Sequence, residues 1–421
     1  MKTSKNSFGW LRLALMLITL PGWGADASLS ATTASPFSPT TSQLNALTFK
    51  VDSPAATFSP GNWSGDNGRG GSEYRQTWCT GAYMYWNWET PANAPKATLL
   101  LDDNMFSANF QRPVIAYSID GIWKSNVAVT NEIDIPELKN PGTHELIVVL
   151  TLSAQLERWG APGQSAANVL RVRGLRVDDG AKPVKKKSST SWAMIFGDSI
   201  TEGSGTGAFT QYSWLIGQAL ASAGWDFSLS ACGWSGWLAP GDNTHDVPGF
   251  YVITNSQNGS GGTYQNDLSR WNKIDGNNHS LLDINGHISG WGEVNQEPSL
   301  ILINYGTNDK GWFQLKANSS DFEASIRQCL AVLRLAAPRA KIVIIIPFGQ
   351  FGARDLKAAV QERLEKGDNN ISFIDLGPGI ARALDSPSKP FGDLHPNAAG
   401  HAWCASLIIP RLFTILDLNL K

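Results

Sequence analysis

The sequence predicts two successive folds, an all-β sandwich over residues 46–180 and an α/β domain with a parallel sheet over residues 191–421. The first region consists of short segments rich in Val, Ile, Leu and Tyr, separated by Gly, Pro, Asn and Asp, which is typical of a jelly-roll type of sandwich. The second alternates continuous apolar runs with helical stretches, as in a three-layer, flavodoxin-like fold. Residues 181–190 combine Pro, lysine and hydroxyl residues without apolar periodicity, so we interpret them as a linker. A length of 421 residues is enough for two hydrophobic cores.

The strands of the first region are predicted from four apolar segments and one turn. The segments are ATLLLDD, VIAYSIDG, HELIVVLTLS and NVLRVRGLRV, and they show no long helical periodicity. Asp120 and Gly121 stand between two apolar runs, where an Asp-Gly pair predicts a tight β-hairpin. We expect Trp78, Trp86 and Trp88 to fill the core of this sandwich.

The second region contains five apolar runs with the length and continuity of strands buried on both faces: WAMIFG, DFSLSAC, SLILINYG, KIVIIIPFG and ISFIDLG. Four helical stretches lie between and after them: QYSWLIGQALASAG, DFEASIRQCLAVLRLAAP, ARDLKAAVQERLEKG and AAGHAWCASLIIPRLFTIL. A parallel sheet of this kind binds ligands beyond the carboxyl ends of its strands. Residues 241–298 form a long polar insertion rich in Gly and Asn, which we expect to shape such a site.

The N-terminus has the pattern of a secretory signal. Basic residues precede the apolar run LALMLITL, and Ala25-Asp26-Ala27 supplies a small-x-small cleavage pattern. The apolar run is too short for a stable membrane anchor. We therefore expect residues 1–27 to be a cleaved signal peptide and residues 28–45, which are rich in Ser, Thr and Pro, to be a linker. The mature protein is expected to be secreted or periplasmic, without a membrane anchor.

Charge and cysteine usage exclude several classes of function. The 34 basic and 36 acidic residues give a net charge of -2, which supplies no electrostatic reason to expect a nucleic-acid partner. The four cysteines are widely spaced with no Cys/His cluster, which argues against a zinc site, and no metal or cofactor is expected. Export permits disulfides, but the apolar, alanine-rich surroundings of Cys329 and Cys404 favour buried free thiols.

Three groups follow the ends of predicted strands, and a fourth precedes the last helix. Ser199 follows WAMIFGD, Gly236 stands in GWSG, Asn308 stands in GTND, and His395 stands in DLHPN. Because the carboxyl ends of parallel strands meet at one edge of a sheet, we expect a hydroxyl, a backbone N–H, an amide and an imidazole to lie together. This set suits acyl transfer, since the imidazole takes the proton of the attacking hydroxyl while the N–H and amide groups stabilise an oxyanion.

The blocks GDSITEG, GWSG, GTND and DLHPN resemble, in order and context, the four signature blocks of the SGNH (GDSL-type) hydrolases. The resemblance covers about residues 190–421 and implies the three-layer fold of that family. It implies Ser199 as the nucleophile, His395 as the base, and Gly236 and Asn308 as oxyanion-hole donors, with no cofactor. The β-rich first region followed by this domain also resembles secreted carbohydrate esterases, which remove acetyl groups from polysaccharides.

One position departs from the family pattern. Members commonly carry an acid three residues before the histidine, where this sequence has Gly392, and the nearest carboxylate is Asp393, two residues before His395. Two interpretations remain open. Asp393 orients His395 as the third member of a triad, or a backbone carbonyl holds the ring and the site is a Ser-His dyad.

Structural interpretations compete with the catalytic ones. The Ser-x-x-Glu spacing of SITE matches a capping box that begins at Ser199, and His395 stands just before a predicted helix. Asp198 and Asp309 each lie beside a better catalytic candidate, so we expect them to brace loops by accepting backbone hydrogen bonds. The four blocks together favour the catalytic interpretation of Ser199 and His395.

Three tryptophans are candidates for substrate contact. Trp234 and Trp237 flank Gly236, where an exposed indole face would stack on a sugar ring, and Trp271 in the long insertion is a further candidate. The resemblance to secreted carbohydrate esterases implies an acetylated saccharide as the substrate partner.

The sequence predicts a secreted serine esterase that hydrolyses O-acetyl esters of a polysaccharide or oligosaccharide through an acyl-enzyme on Ser199. One alternative is the same chemistry on a non-carbohydrate ester such as a lipid or a thioester, although the polar insertion favours a hydrophilic substrate. A second alternative is a non-catalytic carbohydrate-binding protein with a degenerate hydrolase domain. The intact Ser199, Asn308 and His395 count against it.

Overall fold

A computed structural model describes residues 46–67, 70–103, 106, 112–154, 158, 168–187, 189–207, 209–238, 247, 249–254, 263–264, 269, 297–309, 319–378 and 394–419. The predicted signal peptide, residues 1–27, and the linker predicted over residues 28–45 lie outside the described residues. None of the helices within the described ranges is long and apolar enough to cross a membrane.

The described part of the first region is made of antiparallel strands. They are β1 (Ala46–Lys50), β2 (Ala56–Phe58), β3 (Ser64–Asn67), β4 (Gly70–Thr77), β5 (Tyr83–Thr90), β6 (Ala97–Leu101), β7 (Val114–Ile119), β8 (Ile122–Ala128), β9 (Glu132–Asp134), β10 (Gly142–Leu152), β11 (Leu170–Asp178) and β12 (Lys182–Pro183). One sheet runs β3-β4-β11-β6-β9 with β1 beside β11, and the other runs β12-β5-β10-β7-β8 with β2 beside β5. Part of the segment that we interpreted as a linker, β12, therefore pairs with β5.

The local sequence explains the turns and the core of these sheets. Asp120 and Gly121 have φ angles of 50° and 87° and join β7 to β8, which confirms the predicted hairpin, since its tight turn needs two positive φ angles. Trp78, Trp86 and Trp88 are fully buried in the core between the sheets, as predicted.

The second region contains a parallel sheet with helices on both faces. The strands of this region are β13 (Trp192–Gly197), β14 (Asp226–Ala231), β15 (Ile253–Thr254), β16 (Thr263–Tyr264), β17 (Leu300–Asn304), β18 (Lys341–Ile345) and β19 (Ile371–Ile374). Of these, β15 and β16 pair with each other in a separate two-stranded sheet. The helices of the region are α1 (Ser199–Glu202), α2 (Tyr212–Ser222), α3 (Ser319–Ala336), α4 (Ala353–Glu365) and α5 (Ala398–Ile415). The five-stranded sheet runs β14-β13-β17-β18-β19, and its strands pair in parallel.

Burial in the parallel sheet has the three-layer pattern expected from the continuous apolar runs. All residues of β13 and β17 are buried. Ile301 and Ile303 belong to a core cluster shared with α3 and α4, whereas Leu300 and Leu302 belong to one shared with α2 and α5. In sheets with this strand order the ligand crevice lies where the order reverses, which here is beyond the carboxyl ends of β13 and β17.

The two regions pack against each other along the edge strand β14. The backbone N–H of Phe227 donates to the Tyr83 hydroxyl oxygen at 3.2 Å, and Asn62 Nδ2 donates to the carbonyl oxygen of Leu229 at 3.0 Å. Side chains of the first region thus satisfy backbone groups that an edge strand would otherwise leave open. Residues from Asn45 onward cluster as one compact unit.

The four cysteines are buried and free of disulfide bonds: Cys79, Cys232, Cys329 and Cys404. Burial raises the pKa of the Cys329 thiol well above its ordinary value, which disfavours the reactive thiolate.

Candidate active site

Ser199 and His395 meet at the carboxyl edge of the parallel sheet. Ser199 is separated from the end of β13 by Asp198 alone and is the first residue of α1, and His395 lies three residues before the start of α5. Although 196 residues separate them in the chain, His395 Nε2 lies 2.8 Å from Ser199 Oγ. Ser199 is only 9% exposed, and His395 is half-buried. A serine hydroxyl at this distance from an imidazole is within reach of proton transfer.

The cap of α1 is Asp198 and not Ser199. Asp198 Oδ1 accepts a hydrogen bond from the Ile200 backbone N–H at 3.0 Å, so the capping interpretation of Ser199 is wrong. The Ser199 hydroxyl is therefore not needed to cap α1 and is available to interact with His395. Burial raises the pKa of the Asp198 carboxyl to about 7, and the nearby Asp309 carboxylate acts in the same direction.

Asp309 braces the segment that follows β14, which we call the 232–238 loop. Its carboxylate is fully buried and accepts hydrogen bonds from the backbone N–H groups of Trp237 at 2.8 Å and Leu238 at 2.9 Å. A Cβ at position 236 would lie 2.4 Å from Asp309 Oδ2, so glycine is required there by the approach of this carboxylate. Both Asp198 and Asp309 therefore accept backbone hydrogen bonds, as the sequence predicted.

Asn308 joins the helical segment that follows β17 to the same loop. Its Nδ2 donates to the carbonyl oxygen of Ser235 at 2.9 Å, which places the amide next to Gly236 in the chain. An amide nitrogen carries two hydrogens, so this bond occupies one of them. The structure thus brings Ser199 to His395, and Asn308 to the loop that contains Gly236, at the ends of the adjacent strands β13, β14 and β17.

The tryptophans predicted to contact substrate differ in exposure. Trp234 is 37% exposed and has a φ of 67°, a left-handed conformation that is strained for a residue with a bulky side chain. Trp237 is fully buried, its Nε1 donates to the carbonyl oxygen of Tyr305, and its ring packs against Phe250. An indole without exposed surface has no face to offer a sugar, so the expectation for Trp237 is corrected. Trp271 lies outside the described residues.

The residue predicted to orient His395 is also outside the described part of the chain. Asp393 and Gly392 lie outside the described residues, so the Ser199–His395–Asp393 triad and the Ser-His dyad both stay predictions.

Sequence reasoning missed one buried ion pair beside the site. Arg158 Nη2 lies 2.6 Å from Glu202 Oε1, and Glu202 Oε2 accepts a hydrogen bond from the Gly233 backbone N–H at 2.9 Å. Glu202 is the glutamate of the Ser-x-x-Glu spacing, but it binds the 232–238 loop and a distant arginine instead of capping α1. Arg158 stands in a segment without apolar periodicity, so no local signal marked it.

A cavity of about 240 Å³ lies between the two regions beside α1. Its wall includes Thr80, Thr151 and Ser153 from the first region and Ser204, Thr206 and Gln211 from the second. Leu152, Glu202 and two glycines complete the wall, so polar and apolar groups contribute about equally to the cavity surface.

The sheet order and the placement of a serine and a histidine at its carboxyl edge define an α/β fold suited to acyl transfer. Residues 195–403 match the model of the GDSL-like Lipase/Acylhydrolase family. This match spans just under half of the chain and lies within its second region. A search of curated protein sequences found no significant match.

Solved structures share the fold at low sequence identity. An acetyl xylan esterase from the rumen bacterium Butyrivibrio proteoclasticus has a TM-score of 0.62 and 15% identity, over 89% of this chain and 99% of that one. A family two carbohydrate esterase from Clostridium thermocellum, solved with cellohexaose, has a TM-score of 0.59 and 15% identity, over 86% and 99%. A salicylyl-acyltransferase from a tetracycline biosynthetic pathway has a TM-score of 0.55 and 13% identity, over 89% and 100%. Because each match covers most of this chain, both of its regions take part in the shared fold.

Proposed function

We propose that this protein is a serine esterase that removes O-acetyl groups from a polysaccharide or oligosaccharide. The observation that carries the proposal is the 2.8 Å contact between His395 Nε2 and Ser199 Oγ at the carboxyl edge of the sheet. His395 takes the Ser199 proton as the oxygen attacks the acetyl carbonyl, and then protonates the departing sugar oxygen. Water activated by the same imidazole attacks the acyl-enzyme and releases acetate.

The tetrahedral intermediate needs donors for its negative oxygen. We assign them to the backbone N–H groups of Ser199 and Gly236 and to the second Nδ2 hydrogen of Asn308. The support is that bonds from Asn308 and Asp309 hold the 232–238 loop at adjacent points, so its donors are in place before the charge develops. For the orientation of the His395 ring we propose Asp393, with a backbone carbonyl as the alternative.

The saccharide class is supported by two observations. The carbohydrate esterases named above share the fold over both regions of the chain. The exposed Trp234, two residues before Gly236 in the 232–238 loop, offers an indole face that could stack on a sugar ring. We take the first region to be a jelly-roll accessory domain over residues 46–180 that forms one wall for the polymer, with the hydrolase domain over residues 191–421. Residues 1–27 would export the protein to its substrate.

The test is acetate release from a small acetyl ester and from acetylated xylan by wild type and Ser199→Ala. Wild type is expected to act on both, and the variant to lose at least about a thousandfold in kcat because the nucleophile is absent. Ser222→Ala, an exposed serine on α2, is the matched control and should retain full activity. A wild type that releases no acetate from either substrate, or an active Ser199→Ala, would overturn the proposal.

The same assay decides the orienting group. Asp393→Ala is expected to lower kcat by at least about tenfold, because a base held in the wrong orientation transfers the proton poorly. Turnover near that of wild type would leave a Ser199–His395 dyad.

A second candidate is transfer or hydrolysis of a non-carbohydrate acyl group. The fold that this chain shares with a salicylyl-acyltransferase favours keeping it. Activity on the small ester with none on acetylated xylan, and product formation with an added alcohol acceptor, would select this alternative.

A further inference from the structure

One charged side chain of the first region reaches the loop that we assign to the oxyanion hole. Arg158 is fully buried, and its Nη2 forms an ion pair with Glu202 Oε1 at 2.6 Å. Its Nη1 donates to Cys232 Sγ at 3.4 Å. Glu202 in turn accepts the Gly233 N–H at 2.9 Å. Arg158 therefore contacts the first residue of the 232–238 loop directly and the second through Glu202.

The guanidinium is itself fixed in place by the first region. Arg158 Nε donates to the carbonyl oxygen of Ala154 at 2.7 Å, and Nη2 donates to that of Ser153 at 2.7 Å. Its carbon Cζ lies 5.3 Å from the centre of the Trp78 ring, over its face. An arginine held by carbonyl groups, a carboxylate and an aromatic ring is a rigid donor and not a mobile side chain.

The loop is consequently held by a carboxylate at each end. Glu202 holds Gly233 at the start, and Asp309 holds Trp237 and Leu238 at the end. Gly236 lies between these points. Glu202 is in addition paired with a cation from the first region, Arg158.

The Arg158–Glu202 pair also affects the electrostatic environment of the reacting centre. Glu202 and Ser199 are three residues apart in α1, so an unpaired carboxylate would lie close to the place where the oxyanion develops. A buried ion pair is weak support for stability, because well-packed apolar residues often replace such pairs at no cost. Stability alone therefore does not explain why the Arg158–Glu202 pair contacts the 232–238 loop.

We propose that Arg158 is a positioning residue, which holds Glu202 and the start of the 232–238 loop so that the oxyanion donors are aligned. It also neutralises Glu202 next to the developing negative charge. This inference rests on the proposed function, since it presumes that Ser199 is acylated. It makes the first region a part of the catalytic apparatus.

The experiment compares Arg158→Lys with the double variant Arg158→Met/Glu202→Gln, which removes both charges and leaves neither buried alone. The readouts are kcat and KM on a small acetyl ester, the rate of Ser199 labelling by a fluorophosphonate, and the melting temperature. The double variant is expected to lose about 10- to 100-fold in kcat and in labelling rate, with KM within about twofold of wild type. Arg158→Lys keeps the charge and should recover part of the loss.

The matched control is Arg334→Met/Asp368→Asn. It removes another largely buried ion pair, of 3.0 Å, at the opposite edge of the sheet, and should lower the melting temperature without changing the labelling rate of the folded enzyme. A folded double variant at Arg158 and Glu202 with wild-type labelling and kcat would overturn the inference. So would a loss that the control reproduces. Labelling also separates the two proposals, because a protein that labels at Ser199 but releases no acetate refutes only the acetylesterase function.

Discussion

The parallel-sheet region and the antiparallel region contribute to the site in different ways. The parallel region carries every group that we assign to the reaction, each at a strand end or just before a helix. The antiparallel region supplies the buried Arg158 and the side chains of Tyr83 and Asn62 that close the edge of β14. The difference teaches that the reacting groups are placed by the topology of one sheet, whereas their alignment depends on contacts that reach across from the other region.

The largest effect is expected from a variant in the parallel region, which tests whether that region carries the reacting groups. Asn308→Ala removes a proposed oxyanion donor and its bond to Ser235, so we expect kcat to fall by about 100- to 1000-fold, or roughly 3 to 4 kcal/mol of activation free energy. Steady-state kinetics on a small acetyl ester measure it. Asn369→Ala, at an exposed turn before β19, is the control and should leave kcat unchanged. A kcat for Asn308→Ala within a few-fold of wild type would remove the amide from the mechanism.

The next effect is a pH dependence of stability. Burial raises the pKa of Asp198 from 3.8 to about 7 in the folded protein, so the folded state holds its proton more tightly than the unfolded state. The stability that this gives is complete below pH 4 and is lost as the pH rises through 7. Between these values we expect the free energy of unfolding of wild type to fall, relative to Asp198→Asn, by about 1.4 kcal/mol per pH unit.

Urea unfolding at several pH values measures this difference. Asn keeps an oxygen that accepts the Ile200 N–H, so the cap of α1 is retained. Asp52→Asn, at an exposed position, is the control for the exchange itself. Parallel pH curves for wild type and Asp198→Asn would show that the carboxyl is not protonated in the folded state.

The smallest effect tests the contact between the two regions. Tyr83→Phe removes the hydroxyl that accepts the Phe227 N–H, so a buried backbone donor on β14 loses its partner. We expect the free energy of unfolding to fall by about 1 kcal/mol, with kcat unchanged. Tyr85→Phe, two residues along β5, is the comparison and should change stability less. An equal loss in both variants would mean that the edge contact contributes nothing specific.

Local sequence patterns were sufficient for the five strands of the parallel sheet and for some of the strands of the antiparallel region. The runs WAMIFG and SLILINYG became β13 and β17, because continuous apolar residues suit strands that helices cover on both faces. The Asp120-Gly121 turn was equally predictable, since few residues accept its positive φ angles. The pairing of β12 with β5 was not, because a two-residue edge strand of Lys182 and Pro183 has no apolar pattern.

The same division holds in the site. The approach of Ser199 to His395 was predictable, because the sequence blocks place Ser199 after a strand and His395 just before the last helix at the same edge of the sheet. The burial of Trp237 and the Arg158–Glu202 pair did not, because they depend on which side chains pack together over long distances in the chain. A tryptophan beside a glycine looks the same in sequence whether its ring faces solvent or core.

At Trp234 the backbone conformation and the proposed role of the side chain favour different residues. Its left-handed backbone, at a φ of 67°, would suit glycine, so a selection for heat resistance alone would favour losing the indole. A selection for growth on the substrate would favour retaining the ring, if it binds as we propose. Laboratory evolution for heat resistance and for growth on the substrate would therefore select different residues at position 234.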